Sequence, residues 1–341
     1  MFSQQSIFTK NNFKWMVLFL LLLITFFSSL FMGRYTISPE NTFIVLVNAL
    51  QGNIAQDMNS SIILGMRLPR TILSMLLGAG LAIAGSTYQG IFRNPLVSPD
   101  VLGVSSGAGF GSVLGILLFG MSATTSLLAF VFGLGSVFLT YLFARARGQT
   151  TMMSLVLSGM IVSAIFAALI SLVKYVADPY DALPAITYWL MGSFSKATFE
   201  DLRYIFIPLT ASLAVLNLVR WRINILSLGE EESKSLGVNP TRIKFIAIIA
   251  STVLTALSVT VVGIVGWVGL VIPHITRLLF GVDHKVLLPA SCFIGAIFFI
   301  VVDIVSRSVI SAEIPIGIIT ALLGAPFFGF LLKYTNQKCD W

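Results

Sequence analysis

Charge is scarce in this chain. Of 341 residues, 10% are Asp, Glu, Lys or Arg and 57% are hydrophobic. A soluble domain carries about 25% charged residues. The shortage excludes that class and leaves an all-α polytopic membrane protein. Cysteine is almost missing: Cys292 lies in an apolar run, Cys339 lies near the C-terminal end, and no CxxC spacing occurs. That excludes a disulfide framework and a cysteine zinc site. The two histidines, His274 and His284, are isolated; packing is the expected role of His274, which follows Pro273. The dipeptide Gly-Lys never occurs, so there is no phosphate-binding loop of the GxxxxGK[ST] type. HExxH is absent too, and nothing in the sequence makes a case for catalysis. The net charge of +7 comes from positives dispersed near the ends of apolar runs. Such placing suits orientation signals, not nucleic-acid binding.

What is present is a series of apolar runs. A membrane span needs about 20 apolar residues. The first run is 15–32, after Lys10 and Lys14, and with no small-residue cleavage site it reads as a retained span. Residues 33–66 read as a polar loop. A second span at 71–92 follows Arg67-Leu-Pro-Arg70, with Pro69 suited to a first helical turn. It is rich in Gly and small residues, which favour close helix packing over lipid contact. The uncharged stretch 101–143 is too long for one span and folds back near Gly120-Met121-Ser122. A fifth span covers 148–173, an interfacial helix with Tyr188 and Trp189 covers 186–196, and a short sixth span covers 204–219. Residues 245–280 read as a seventh span to Val262 and a short eighth helix. Spans at 286–306 and 314–332 complete ten. Ten spans put both termini on one side, together with most of the 21 Lys and Arg, as the positive-inside rule asks. A nine-span alternative makes 264–280 re-entrant.

One stretch breaks the apolar pattern. Residues 228–240, LGEEESKSLGVNP, hold Glu230, Glu231 and Glu232 in a row, with Arg220, Arg222, Arg242 and Lys244 around them. Glu231 to Leu236 predict about a turn and a half of helix, and Gly237 a left-handed cap. This is either a surface helix offered to another protein or a solvated connector. Ion-coupled transporters commonly keep ionisable residues at mid-membrane. The one candidate here is Asp303, for which a salt bridge to Arg307 one turn on is expected.

The motifs then bring a family into view. RLPR at 67–70, GAGLAIAG at 78–85, Gln89, RNPLVSPDVLGVSSGAG at 93–109, LGEEESKSLGV at 228–238, VGLVIPHITR at 268–277, DH at 283–284, LLP at 287–289, DIVSR at 303–307 and EIPIGIITALLGAPFF at 313–328 together resemble the FecCD family. The resemblance runs over about 14–333. Its members are permease subunits of ATP-binding-cassette importers for iron–siderophore complexes, haem and vitamin B12. It implies ten transmembrane helices in a type II ABC importer permease fold, with 1–341 as a single permease domain. It implies a bacterial or archaeal cytoplasmic (inner) membrane with both termini cytoplasmic. The implied partners are ABC ATPase subunits that bind ATP-Mg, an extracytoplasmic substrate-binding protein, and a second permease copy or a paralogue. No cofactor, metal or nucleic acid is implied for this chain. By the resemblance, Leu228, Gly229, Glu230, Glu231, Glu232, Leu236 and Gly237 form the ATPase-coupling element within 228–240. Asn94, Pro95 and Leu96 belong to an inner gate, whose other part reads Thr151-Met152-Met153, bulkier than in some relatives. Arg67, Arg70 and Arg307 face the binding protein. The reading is a non-enzymatic permease for an iron–siderophore or related metal chelate. Haem, vitamin B12 and molybdate stay open as cargo, and outside the family an ion-coupled secondary transporter and a membrane scaffold are the rivals.

Overall fold

The computed structural model describes the backbone of residues 2–53, 55–145 and 151–335. Arg147, Lys338, Cys339 and the start of the expected fifth span lie outside these residues. Every regular element among them is helical. The order is α1 (Phe2–Phe31), α2 (Pro39–Leu50), α3 (Met58–Ser60), a π-helical stretch (Ser61–Arg67), α4 (Leu68–Phe92), a 3-10 turn (Pro99–Leu102), α5 (Val104–Phe119) and α6 (Ala123–Ala144). Then come α7 (Met152–Val176), α8 (Ala182–Leu190), α9 (Phe199–Leu228), α10 (Glu230–Ser235), α11 (Pro240–Val262), α12 (Val268–Phe280), α13 (His284–Ser308) and α14 (Ile316–Thr335). Among the described residues seven helices are long and apolar enough to cross a membrane; Val104–Phe119, Val268–Phe280 and Ile316–Phe330 are apolar but shorter.

The expected spans fall on these helices with shifted ends. The break after Val262 and the hairpin at Gly120 stand where the sequence puts them. Three expectations need correction. Residues 33–66 are not simply a loop. Ser38 caps α2, with Pro39 in the first turn and Glu40 beside it, a start signal that the sequence carries. The second span does not begin at Pro69 but at the cap Asp57, and Met58–Phe92 is one continuous helix. Pro69 sits inside it because the preceding stretch is π-helical: the Leu68 N–H donates to Ile63 O, five residues back. A wider turn makes room for a ring that otherwise collides with the carbonyl four residues earlier. The interfacial helix also moves, to Ala182–Leu190, and Ile186 is fully buried against Val113, Ile116 and Val173.

α4 is the axis of the bundle. It is buried along most of its length and packs on α9, α11, α12 and α13. In lipid, association relies on close packing rather than on escape from water, so small residues set the crossings. At Gly78 an added Cβ would meet Gly295 O of α13 at 2.4 Å; at Gly85 it would meet the Gly269 carbonyl of α12 even closer. Neither crossing admits a side chain. α4 therefore presents its two ends as fixed platforms, one at Arg67 and Arg70 and one at Arg93.

Candidate functional site: the two ends of the buried axis

At the first end the three arginines meet, but not on an exposed rim. Arg67, Arg70 and Arg307 are only 5%, 7% and 5% exposed. Arg70 Nε lies 2.6 Å from Asp303 Oδ1, and its Nη1 lies 2.8 Å from Glu313 Oε1. The expected Asp303–Arg307 pair is present, with Arg307 Nε 3.2 Å from Oδ2. Arg307 Nη2 also donates to the Ser29 carbonyl and hydroxyl, both at 2.6 Å. Arg67 donates to the carbonyls of Leu30 and Tyr35 on and just after α1. Asp303 is fully buried. One carboxylate held by two guanidinium groups pins α4 to α13, and the backbone donations pin both to the end of α1. The three arginines are thus buried and bonded inside the chain, with Arg70 Nη2 buried and unpartnered.

The second end is built differently. α9 has 30 residues, about 45 Å at 1.5 Å per residue, against a hydrocarbon core of about 30 Å. Its C-terminal turns carry Arg220, Arg222 and Asn224 and hold α10 clear of the apolar part. α10 is Glu230–Ser235, with Glu230, Glu231, Glu232 and Lys234 exposed and Ser233 fully buried. Acids in the first turn of a helix suit its partial positive charge. The helix stops as expected: Gly237 has φ 75°, Gly237 N donates to Lys234 O, and Val238 N donates to Ser233 O at 2.9 Å. That is a Schellman cap. Ser233 Oγ donates to Ile225 O at 3.0 Å and also bonds Gly229 O, so α10 folds back onto α9. Glu230 pairs with Lys244 of α11, and this bond holds its carboxyl below the usual carboxylate range. Ile225, Leu226, Val238 and Ile243 form a small apolar core beneath α10. Leu228 and Leu236 are exposed beside it.

The turn after α4 lies against this same corner. Arg93 caps α4 in the left-handed region, φ 49°. Asn94 Oδ1 accepts from Leu96 N at 2.9 Å, which closes Asn94, Pro95 and Leu96 into a tight turn with Asn94 and Leu96 exposed. Arg93 Nε and Nη2 both donate to Leu226 O, at 3.1 and 2.8 Å. Of the other expected gate segment, Thr151 caps α7 and Met153 is exposed. Among the described residues no three or more of His, Cys, Asp and Glu are grouped so as to hold a metal ion. His284 is not isolated, because Nδ1 and its backbone N–H both lie 2.8 Å from Asn224 Oδ1. Sequence reading missed Arg93, Asn224 and the Arg277–Gln89 bond. Each joins residues far apart in the chain, and no local spacing signals them.

The model of the FecCD transport family matches residues 21–334. The molybdate import system permease protein MolB of Haemophilus influenzae is 43% identical over 92% of this chain and 93% of its own. The iron(3+)-hydroxamate import system permease protein FhuG of Bacillus subtilis is 34% identical over 96% and 99%. A solved structure described as an inward-facing conformation of a transporter assigned to the metal-chelate ABC type superposes with TM-score 0.83 and 41% identity. It covers 94% of this chain and 98% of that one. This multi-pass membrane chain belongs to the FecCD transport family.

Proposed function

We propose that this chain is the permease subunit of an ATP-driven importer for a metal chelate, with iron–siderophore complexes as the first cargo class. The observation that carries the reading is α10: three exposed acids on a capped helix, held clear of the membrane by an overlong α9 and tied back to α9 and α11. A connector needs neither the cap nor the ties; a surface that receives force needs both. ATP-Mg binds on a separate ATPase subunit, whose closure pushes on 228–240. The chain itself does no chemistry and needs no cofactor. Seven long helices and three shorter apolar ones then make ten spans, with both termini on the cytoplasmic side of the inner membrane and 1–341 as one domain. A second copy or a paralogue completes the pathway, and Asn94, Pro95 and Leu96 belong to its inner gate. A binding protein delivers cargo at the opposite end. The part that Arg67, Arg70 and Arg307 play in docking is indirect: they fix the helix ends that form the docking face.

A second cargo, molybdate, is favoured by one observation, the 43% identity to the Haemophilus molybdate permease. The test reconstitutes the chain with its ATPase and binding protein in liposomes. Radioactive iron as a ferric hydroxamate and radioactive molybdate are offered in parallel. ATP-dependent accumulation of the iron chelate is expected. Accumulation of molybdate alone reassigns the cargo. Uptake that ignores ATP and collapses with a protonophore replaces the reading with an ion-coupled transporter.

A further inference from the structure

We propose that Arg93 is a positioning residue that carries the motion of α10 to the turn Asn94–Leu96. The inference rests on the reading above, in which 228–240 receives force and the 94–96 turn belongs to the gate. Three observations lead to it. The first is conformational. Among the described residues only Arg93 and Trp267 have positive φ without being glycine. An L-residue with a Cβ is disfavoured there and glycine is not. The side chain of Arg93 must therefore give something back.

The second observation is what it gives. The guanidinium places Nε and Nη2 on one acceptor, Leu226 O, at 3.1 and 2.8 Å. Leu226 lies in the last turn of α9, where carbonyls lack helical partners and carry partial negative charge. A planar cation with several donors suits that position better than an ammonium does.

The third is what lies on each side of the bond. The neighbouring carbonyl, Ile225 O, accepts from the buried Ser233 of α10 at 3.0 Å. Two successive carbonyls of α9 are thus held, one by α10 and the next by Arg93. Ile225 and Leu226 also pack against Ile243 of α11 and against Val238, whose N–H donates to Ser233 O of α10, so a displacement of α10 reaches their peptides. On the other side Arg93 is bonded directly to Asn94, and the Asn94–Leu96 hydrogen bond makes the turn rigid. One turn back, Gly90 has no room for a Cβ between Ile223 and His284. α4 is anchored there, and the freedom that remains lies in the turn beyond Arg93. A displacement of α10 is therefore handed to the turn through Leu226 and Arg93.

The test uses the full permease assembled with its ATPase subunits in liposomes. Leu96→Cys is placed in a background of Cys292→Ala and Cys339→Ala. The rate of its reaction with a maleimide dye is compared without nucleotide and with a non-hydrolysable ATP analogue and Mg. With Arg93 present, nucleotide is expected to change the rate by about threefold or more, the scale of coupling through packed elements. In Arg93→Gly that change is lost while the unfolding temperature holds, because glycine accepts the backbone angle. Arg93→Lys, one donor group in place of a fork, is expected to fall between them. A nucleotide response that persists undiminished in Arg93→Gly overturns the inference and leaves the proposed function standing. A parent complex that assembles but gives no response, or does not assemble with the ATPase, overturns the proposed function and this inference with it.

Discussion

The two ends of α4 use the same residue types in opposite ways. At the Arg70 end, Asp303 is fully buried between two arginines, and partners come from α1, α13 and the segment before α14. At the Arg93 end, Glu230, Glu231 and Glu232 stand exposed on a short helix with one ion pair to Lys244. Desolvated charges are costly unless paired, and removing one partner costs more than the pair is worth. Exposed charges cost little and contribute little to stability. The first end therefore holds the fold together, and the second is free to meet another protein.

That contrast breaks first, and most visibly, at Asp303. Asp303→Ala removes the carboxylate shared by two buried guanidinium groups, leaving Arg70 with Glu313 and Arg307 with Ser29, and a loss of about 3 kcal/mol is expected. The measurement is thermal unfolding of the detergent-solubilised protein. An Asp303→Ala variant as stable as the parent removes the claim that this end is structural. Next is Gly237→Val. No atom lies near the added Cβ, so the penalty comes from φ 75° alone, about 1–3 kcal/mol of local strain. Transport is expected to fail with the protein still in the membrane; normal uptake makes the loop a connector.

A smaller effect is expected from the Glu230–Lys244 pair, at about 0–1 kcal/mol because Glu230 is exposed. Its carboxyl is held below the ordinary range, so the contribution is present above the ordinary carboxylate value and fades as pH falls through the lowered one. The stability difference between the parent and Glu230→Gln is expected to be flat near neutral pH and to close on acidification. A difference that grows with acid contradicts the assignment. Smallest for the fold is Glu231→Lys, within about 0.5 kcal/mol. It is expected to slow association with the ATPase subunits, more strongly at low salt. An unfolding temperature that drops with it places Glu231 in the structural class instead.

Much of this was legible residue by residue. The Asp303–Arg307 pair follows from helical spacing, and the Gly237 cap from a glycine after six helix-forming residues. The break after Val262 follows from glycine spacing in an apolar run too long for one helix. What stayed hidden has a common cause. Arg70 finds Asp303 233 positions away and Glu313 243 away. Arg67 finds a backbone carbonyl, which no side-chain pattern announces. Position beside a span marks an arginine as near the membrane surface; only the packing of α1, α4 and α13 says that it is inside the protein. The π-helical stretch before Pro69 was hidden as well, because a proline beside a polar stretch reads as a start.

The measurement that bears most directly on the role of α10 is site-specific photo-crosslinking in the membrane. A benzophenone side chain replaces Glu231 on α10 in one sample and Phe43, exposed on α2, in another, with the ATPase subunits co-expressed. The expected result is an adduct with the ATPase from position 231 and none from position 43. No adduct from 231, or equal adducts from both, would contradict the assignment of 228–240 as the element through which ATP drives this permease.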